Sequence, residues 1–155
     1  MHTKEQLVTK KILNWYDLNK RSLPWRKNVS FKNKQYYTLV SEFMLQQTQV
    51  ATVIPYFKRF IKLIPNLNSL ARVKNKKLIK LWEGLGYYSR ARNLKKTAEV
   101  ITKNFQGNLP NNFDDLIRLP GVGNYTASAI LAIVFNKPYI PLDGNIERVL
   151  KRYLY

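Results

Sequence analysis

Apolar residues recur along this chain at the three- and four-residue intervals of a helix, and no segment alternates as a half-buried strand does. Gln6 to Leu18 sets Leu7, Ile12, Leu13 and Trp15 at helical spacing. A basic, polar connection from Arg21 to Lys34 follows, holding Leu23-Pro24-Trp25-Arg26. The pattern predicts helices over Tyr36–Gln47 and Val50–Leu63, the second closed by Pro65, and shorter ones near Leu67–Ala71 and Asn75–Glu83. Ser89 to Phe105 reads as a long amphipathic helix ended by Gln106-Gly107-Asn108. Phe113–Leu119, a Pro-Gly-Val-Gly turn and Tyr125–Phe135 come next. A last helix starts behind Asp143 and is still running at Tyr155 without a closing glycine, which reads as an architecture cut short. The expectation is an all-α fold.

The 155 residues suit one domain, and a 13% share of aromatics argues against disorder. No apolar run approaches the roughly 20 residues that span a bilayer. The opening Met-His-Thr-Lys-Glu-Gln lacks the apolar core of a signal peptide. A soluble intracellular protein without membrane contact is expected. With no cysteine, the chain holds no disulfide, thiol nucleophile, thiolate zinc site or iron–sulfur cluster of its own. Its one histidine, His2, stands at the end, where chains fray. Acid–base chemistry therefore falls to nine carboxylates, helped by tyrosine and lysine. The 27 Lys and Arg leave a net charge of +18, which favours a polyanionic partner, nucleic acid above all. Compositional drift toward lysine and asparagine accounts for part of that excess.

Four segments can carry chemistry. Leu119-Pro120-Gly121-Val122-Gly123-Asn124-Tyr125-Thr126-Ala127 lies between two predicted helices. Its glycines permit a tight turn, and the next helix begins with N–H groups able to hold a phosphate oxygen. That is a helix-hairpin-helix pattern for gripping a DNA backbone, or an ordinary glycine turn. Asp143-Gly144-Asn145 places an acid where an N-cap belongs, so Asp143 either caps or faces a cleft. Glu42 interrupts an apolar helix with no Lys or Arg three or four positions away. Desolvated, it would be a general acid near neutrality; at a helix margin, it would face water. The adjoining Gln46-Gln47-Thr48-Gln49 offers amide donors and acceptors for base edges. Finally, Leu81-Trp82-Glu83-Gly84-Leu85-Gly86-Tyr87-Tyr88-Ser89-Arg90-Ala91-Arg92 has tyrosines to stack on bases and arginines to bind phosphates, or forms a capped helix with core aromatics.

The other acids have plain explanations. Glu99 can pair with Lys95 and Lys103, and Glu147 with Lys151. Asp114 and Asp115 suit a helix first turn. Glu5, Asp17 and Glu83 lack a cleft-like context. Glu42 and Asp143 remain.

Together the four segments resemble the MutY-type adenine DNA glycosylases of the helix-hairpin-helix superfamily that includes endonuclease III. The likeness runs in order from about Trp15 to the C-terminus. It implies an N-terminal helix of a split domain over 1–20, a six-helix barrel with its hairpin over 21–136, and the start of the incomplete second domain over 137–155. Glu42 matches the glutamate that protonates a flipped adenine at N7, and Asp143 the aspartate that stabilises the oxocarbenium-like sugar. Tyr125 matches a tyrosine near the reacting nucleotide, and Asn145 an asparagine supporting water and phosphate geometry. Trp25, Arg26, Leu45 and Val50 match the adenine pocket. Gln47 and Tyr87 match residues inserted into the duplex, with Thr48, Leu85, Gly86, Gly121, Val122, Gly123 and Thr126 as further DNA contacts. Bifunctional relatives carry a Schiff-base lysine where Tyr125 stands, so a monofunctional enzyme is implied.

The resemblance further implies double-stranded DNA bearing adenine opposite 8-oxoguanine or guanine as partner, a monomer, and a bacterial, nucleoid-associated cytoplasmic setting. The family's [4Fe-4S] cluster is held by cysteines placed beyond residue 155. A catalytically silent DNA-binding fragment, and a glycosylase with another base preference, are the alternatives.

Overall fold

A computed structural model describes residues 3–154 of the chain; His2 and Tyr155 lie outside the described residues. The elements are α1 (Lys4–Asn19), a 3-10 turn at Pro24–Arg26, α2 (Phe31–Leu45), α3 (Val50–Leu63), α4 (Leu67–Arg72), α5 (Asn75–Trp82), α6 (Tyr88–Asn104), α7 (Phe113–Ile117), α8 (Asn124–Phe135) and α9 (Gly144–Leu154). No strand occurs among the described residues.

Two helices form the centre, for a reason visible in their composition. α8 is apolar on nearly every side and buries Thr126 through Leu131 without a break, as a helix hydrophobic all round must. α2 likewise buries Thr38 through Met44 in one run. They pack on each other; α3, α6 and the 3-10 turn cover α2, α7 covers α8, and α4 and α5 lie on α6. Phe43, Phe57, Phe60 and Trp82 are fully enclosed, each contributing about 1.5–3 kcal/mol by the burial of its side chain. Phe60 meets Trp82 edge to face at 6.1 Å. Polar pins fix the register: Tyr36 Oη donates to the Ile64 carbonyl at 2.6 Å, and Gln35 Oε1 accepts from the Leu109 N–H at 2.7 Å.

The boundaries of α3 fall where the amphipathic pattern puts them. α2 does not: it begins at Phe31, inside the stretch expected to be connection, because Ser30 Oγ accepts from the Asn33 N–H and the Phe31 ring packs at 5.9 Å on Phe135. It also ends at Leu45, short of the expected Gln47. α7 stops at Ile117 rather than Leu119, whose N–H closes a turn onto the Leu116 carbonyl.

Neither α1 nor α9 buries a described side chain; Leu7, Trp15, Leu18, Val149 and Leu154 all face outward, and Leu150 is half-buried. No helix among the described residues is long and apolar enough to cross a membrane.

Candidate active site

Because Glu42 lies within the continuously buried run of α2 from Thr38 to Met44, it is only 7% exposed. The helix-margin reading is excluded. Burial pushes its carboxyl up to about 7, while the nearby Arg26 guanidinium pulls the other way. Tyr125, in the first turn of α8, is 43% exposed. Its phenol is raised first by burial, then by the carboxylates of Glu42 and Asp143, with Arg26 opposing. The structure thus brings Glu42, Asp143 and Arg26, from separate elements, within electrostatic reach of Tyr125.

Asp143 is half-buried, and its Oδ1 accepts from the N–H groups of Asn145 (3.0 Å) and Ile146 (2.8 Å). The cap is real, and the capped carboxylate also acts electrostatically on the Tyr125 phenol. Asn145 is exposed and accepts from Arg148 at 2.7 Å. Leu45 and Val50, half-buried, end α2 and begin α3. Trp25 is a core residue, 3% exposed and edge-on to Phe57 at 5.3 Å, so it supplies a wall rather than a stacking face; Arg26 beside it is exposed.

The hairpin turn is built around one glycine. Gly121 has φ +79°, and a Cβ there would stand 2.8 Å from Asn93 Cβ and 2.9 Å from Phe43 Cε1. The turn is pinned by Thr97 Oγ1, which donates to the Pro120 carbonyl at 2.7 Å, and by Gln46 Nε2, which donates to the Gly121 carbonyl at 3.3 Å. Gly123 differs: nothing lies within 4 Å of its would-be Cβ. It opens α8 with no side-chain cap, and Ala127 is the first N–H of the helix to bond, to the Gly123 carbonyl. The amides of residues 124–126 therefore have no intrahelical acceptor.

The side chains of Leu85, Val122 and Thr126 are buried, so these three can meet DNA only through backbone N–H groups. Thr48 is half-buried and Gly86 sits at φ +74°. Gln47 and Tyr87 are exposed and both left-handed, at φ 56° and 48°. That conformation costs a residue with a side chain about 1 kcal/mol or more. Gln106 and Asn136 share it just beyond the ends of α6 and α8, where chains commonly turn left-handed. Gln47 holds the same position just past the end of α2, whereas Tyr87 is the left-handed residue immediately before α6 begins.

Of the two readings open for the Leu81–Arg92 segment, Arg90 does not take the phosphate-binding one. It is 6% exposed and donates to the carbonyls of Phe43 (3.2 Å), Met44 (2.8 Å), Gln46, Leu85 (3.2 Å) and Gly86 (3.3 Å). Its sequence signal is register: Arg90 precedes Leu94, Thr97, Ala98 and Ile101 on the apolar stripe of α6, all buried. Arg92, off that stripe, is exposed.

Residues 40–155 match the family described as HhH-GPD superfamily base excision DNA repair protein. Among curated proteins, the chain is 50% identical over 143 residues to the adenine DNA glycosylase of Buchnera aphidicola subsp. Baizongia pistaciae, covering 92% of this chain and 40% of that protein. It is 44% identical over 146 residues to the adenine DNA glycosylase of Homo sapiens, covering 91% and 27% respectively. The chain thus spans less than half the length of these relatives. Among solved structures, a thermostable thymine-DNA glycosylase superposes with TM-score 0.83 at 26% identity, covering 93% of this chain and 65% of that one. An endonuclease III–DNA covalent intermediate shares the fold, with TM-score 0.77 at 24% identity, covering 98% and 70%. Sharing the architecture and most of its length with that family, the chain belongs to the HhH-GPD superfamily of base excision DNA repair proteins.

Proposed function

We propose that this chain grips duplex DNA and removes adenine mispaired with 8-oxoguanine or guanine, by hydrolysis of the N-glycosidic bond. The carrying observation is the buried Glu42 carboxyl, held near pKa 7 and acting, as Asp143 also does, on the Tyr125 phenol. A carboxylic acid still half-protonated at neutrality can deliver a proton that an exposed glutamate would already have lost.

In this reading the glycine hairpin and the free amides opening α8 hold the backbone, with Gly121 permitting the turn and Gly123 giving close approach. Gln47 and Tyr87 enter the duplex and the adenine leaves the stack. Trp25, Arg26, Leu45 and Val50 surround the flipped base. Glu42 gives its proton to N7, and the C1′–N9 bond breaks with its electron pair passing to the base. The Asp143 carboxylate stabilises the resulting oxocarbenium. Water adds through oxygen at C1′, its released proton returns to Glu42, and Asn145 supports the water. Tyr125 has no amine, so no Schiff base forms and the product is an intact abasic site.

The residues present do not fit an iron–sulfur cluster, because the chain contains no cysteine. Among the described residues no group of His, Cys, Asp and Glu could hold a metal ion. The family's cluster would use cysteines outside these 155 residues, and no step here runs through it. Residues 21–136 would form the barrel, with 1–20 and 137–155 belonging to the second domain. The protein would act as a monomer in the bacterial cytoplasm, at the nucleoid.

Single-turnover base release from duplexes carrying adenine opposite 8-oxoguanine, adenine opposite guanine, and other mismatches tests the proposal. Free adenine is expected. Release of another base would make it a relative of different preference, and DNA binding without any release would leave a binding module alone.

A further inference from the structure

Gln47 and Tyr87 belong to loops far apart in sequence, yet the carbonyl immediately preceding each is held by the same guanidinium. Arg90 donates from Nη1 to the Gln46 carbonyl and from Nη2 to the Gly86 carbonyl. The next residue in each case is the left-handed one. The same fork also takes the Phe43 and Met44 carbonyls at the end of α2, which have no intrahelical donors, and the Leu85 carbonyl. The Tyr87 ring lies over the guanidinium at 5.4 Å and the Trp82 ring at 5.7 Å. Trp82 Nε1 reinforces the Gly86 carbonyl at 3.1 Å.

We propose that Arg90 is a positioning residue that locks the Gln47 loop and the Tyr87 loop into one rigid unit anchored on the helix that carries Glu42. A left-handed residue with a side chain is strained by about 1–3 kcal/mol, and its surroundings must hold it there. Here one planar fork supplies that constraint to both residues at once. A lysine cannot take its place: an ammonium presents a compact point charge rather than a rigid fork spanning carbonyls on two loops. The use of the unit, a paired insertion into DNA, rests on the proposed base removal. The clamp itself does not.

The test compares wild type, Arg90→Lys and Arg90→Met in the 155-residue chain. Hydrogen exchange by mass spectrometry is read in the free protein over residues 45–49 and 84–88. In Arg90→Lys both segments should exchange at least about tenfold faster, while α3 and α8 stay within about twofold of wild type. With DNA, fluorescence of a 2-aminopurine beside the mispair should show unstacking by wild type and at least about fivefold less by Arg90→Lys, at salt where both bind undamaged duplex equally. Wild-type protection of both loops, loosening of only one, or uniform loosening of the whole molecule would each overturn the proposal. If Arg90→Met does not fold, Arg90→Lys decides. If wild type neither unstacks nor releases a base, but both loops loosen together in Arg90→Lys, the base-removal reading fails and the clamp stands.

Discussion

The guanidinium of Arg26 acts on Glu42 in opposition to that residue's own burial, and the balance leaves the acid near pKa 7. Base release that needs protonated Glu42 should fall as pH rises through about 7. Removing the opposing charge in Arg26→Gln should carry that limb to higher pH. Glu42→Gln should keep DNA binding and lose roughly 10²–10⁴-fold in rate. Single-turnover pH profiles check all three, and an unmoved limb in Arg26→Gln would refute the pairing.

The same burial has a price in stability, with a definite sign. The folded state holds the Glu42 proton up to about pH 7, the unfolded chain only to about 4.5, so stability is greatest below 4.5 and declines as pH rises through 7. The full difference is about 3 kcal/mol. Glu42→Gln should therefore melt above wild type at pH 8, by roughly 5–10 °C, and approach it at pH 5. Calorimetry at the two pH values reads this directly; identical melting at both would mean Glu42 is solvated.

Tyr125 predicts the product. Duplex treated with wild type should stay uncut until alkali is added, and borohydride should trap little protein on DNA. Tyr125→Lys supplies an amine beside two carboxylates and should increase trapping. Strand cutting by wild type at neutral pH would contradict the assignment.

The two hairpin glycines should separate stability from binding. Gly121→Ala forces a Cβ onto Asn93 and Phe43 at positive φ, and should destabilise by about 1–3 kcal/mol. Gly123→Ala meets nothing in the protein, so its melting should hold. Its DNA affinity should drop severalfold where a phosphate must come close, a contrast that melting curves and fluorescence anisotropy would expose.

How far the sequence reaches can be judged on single residues. The span of α3 was legible because its apolar stripe is strong, and Glu42 stood out because an acid interrupts an otherwise apolar helix. The true start of α2 was hidden, since Phe31 to Gln35 are polar enough to pass for connection and only the Ser30 cap and the Phe31–Phe135 contact make them helix. Leu85, Val122 and Thr126 were legible as members of a motif but not as buried side chains, because the groups they can offer DNA are backbone amides common to every residue. Arg90 carried its clue in register rather than residue type: charge suggested phosphate, and the stripe it sits on points inward.

The three tryptophans occupy unlike surroundings: Trp15 on α1 is 64% exposed, whereas Trp25 and Trp82 are interior. Emission should divide accordingly into a water-facing red component and an interior blue one. An aqueous quencher such as iodide will extinguish the first and spare the second. The outer helix and the packed body around Arg90 can therefore be followed separately, without labels, in a single titration.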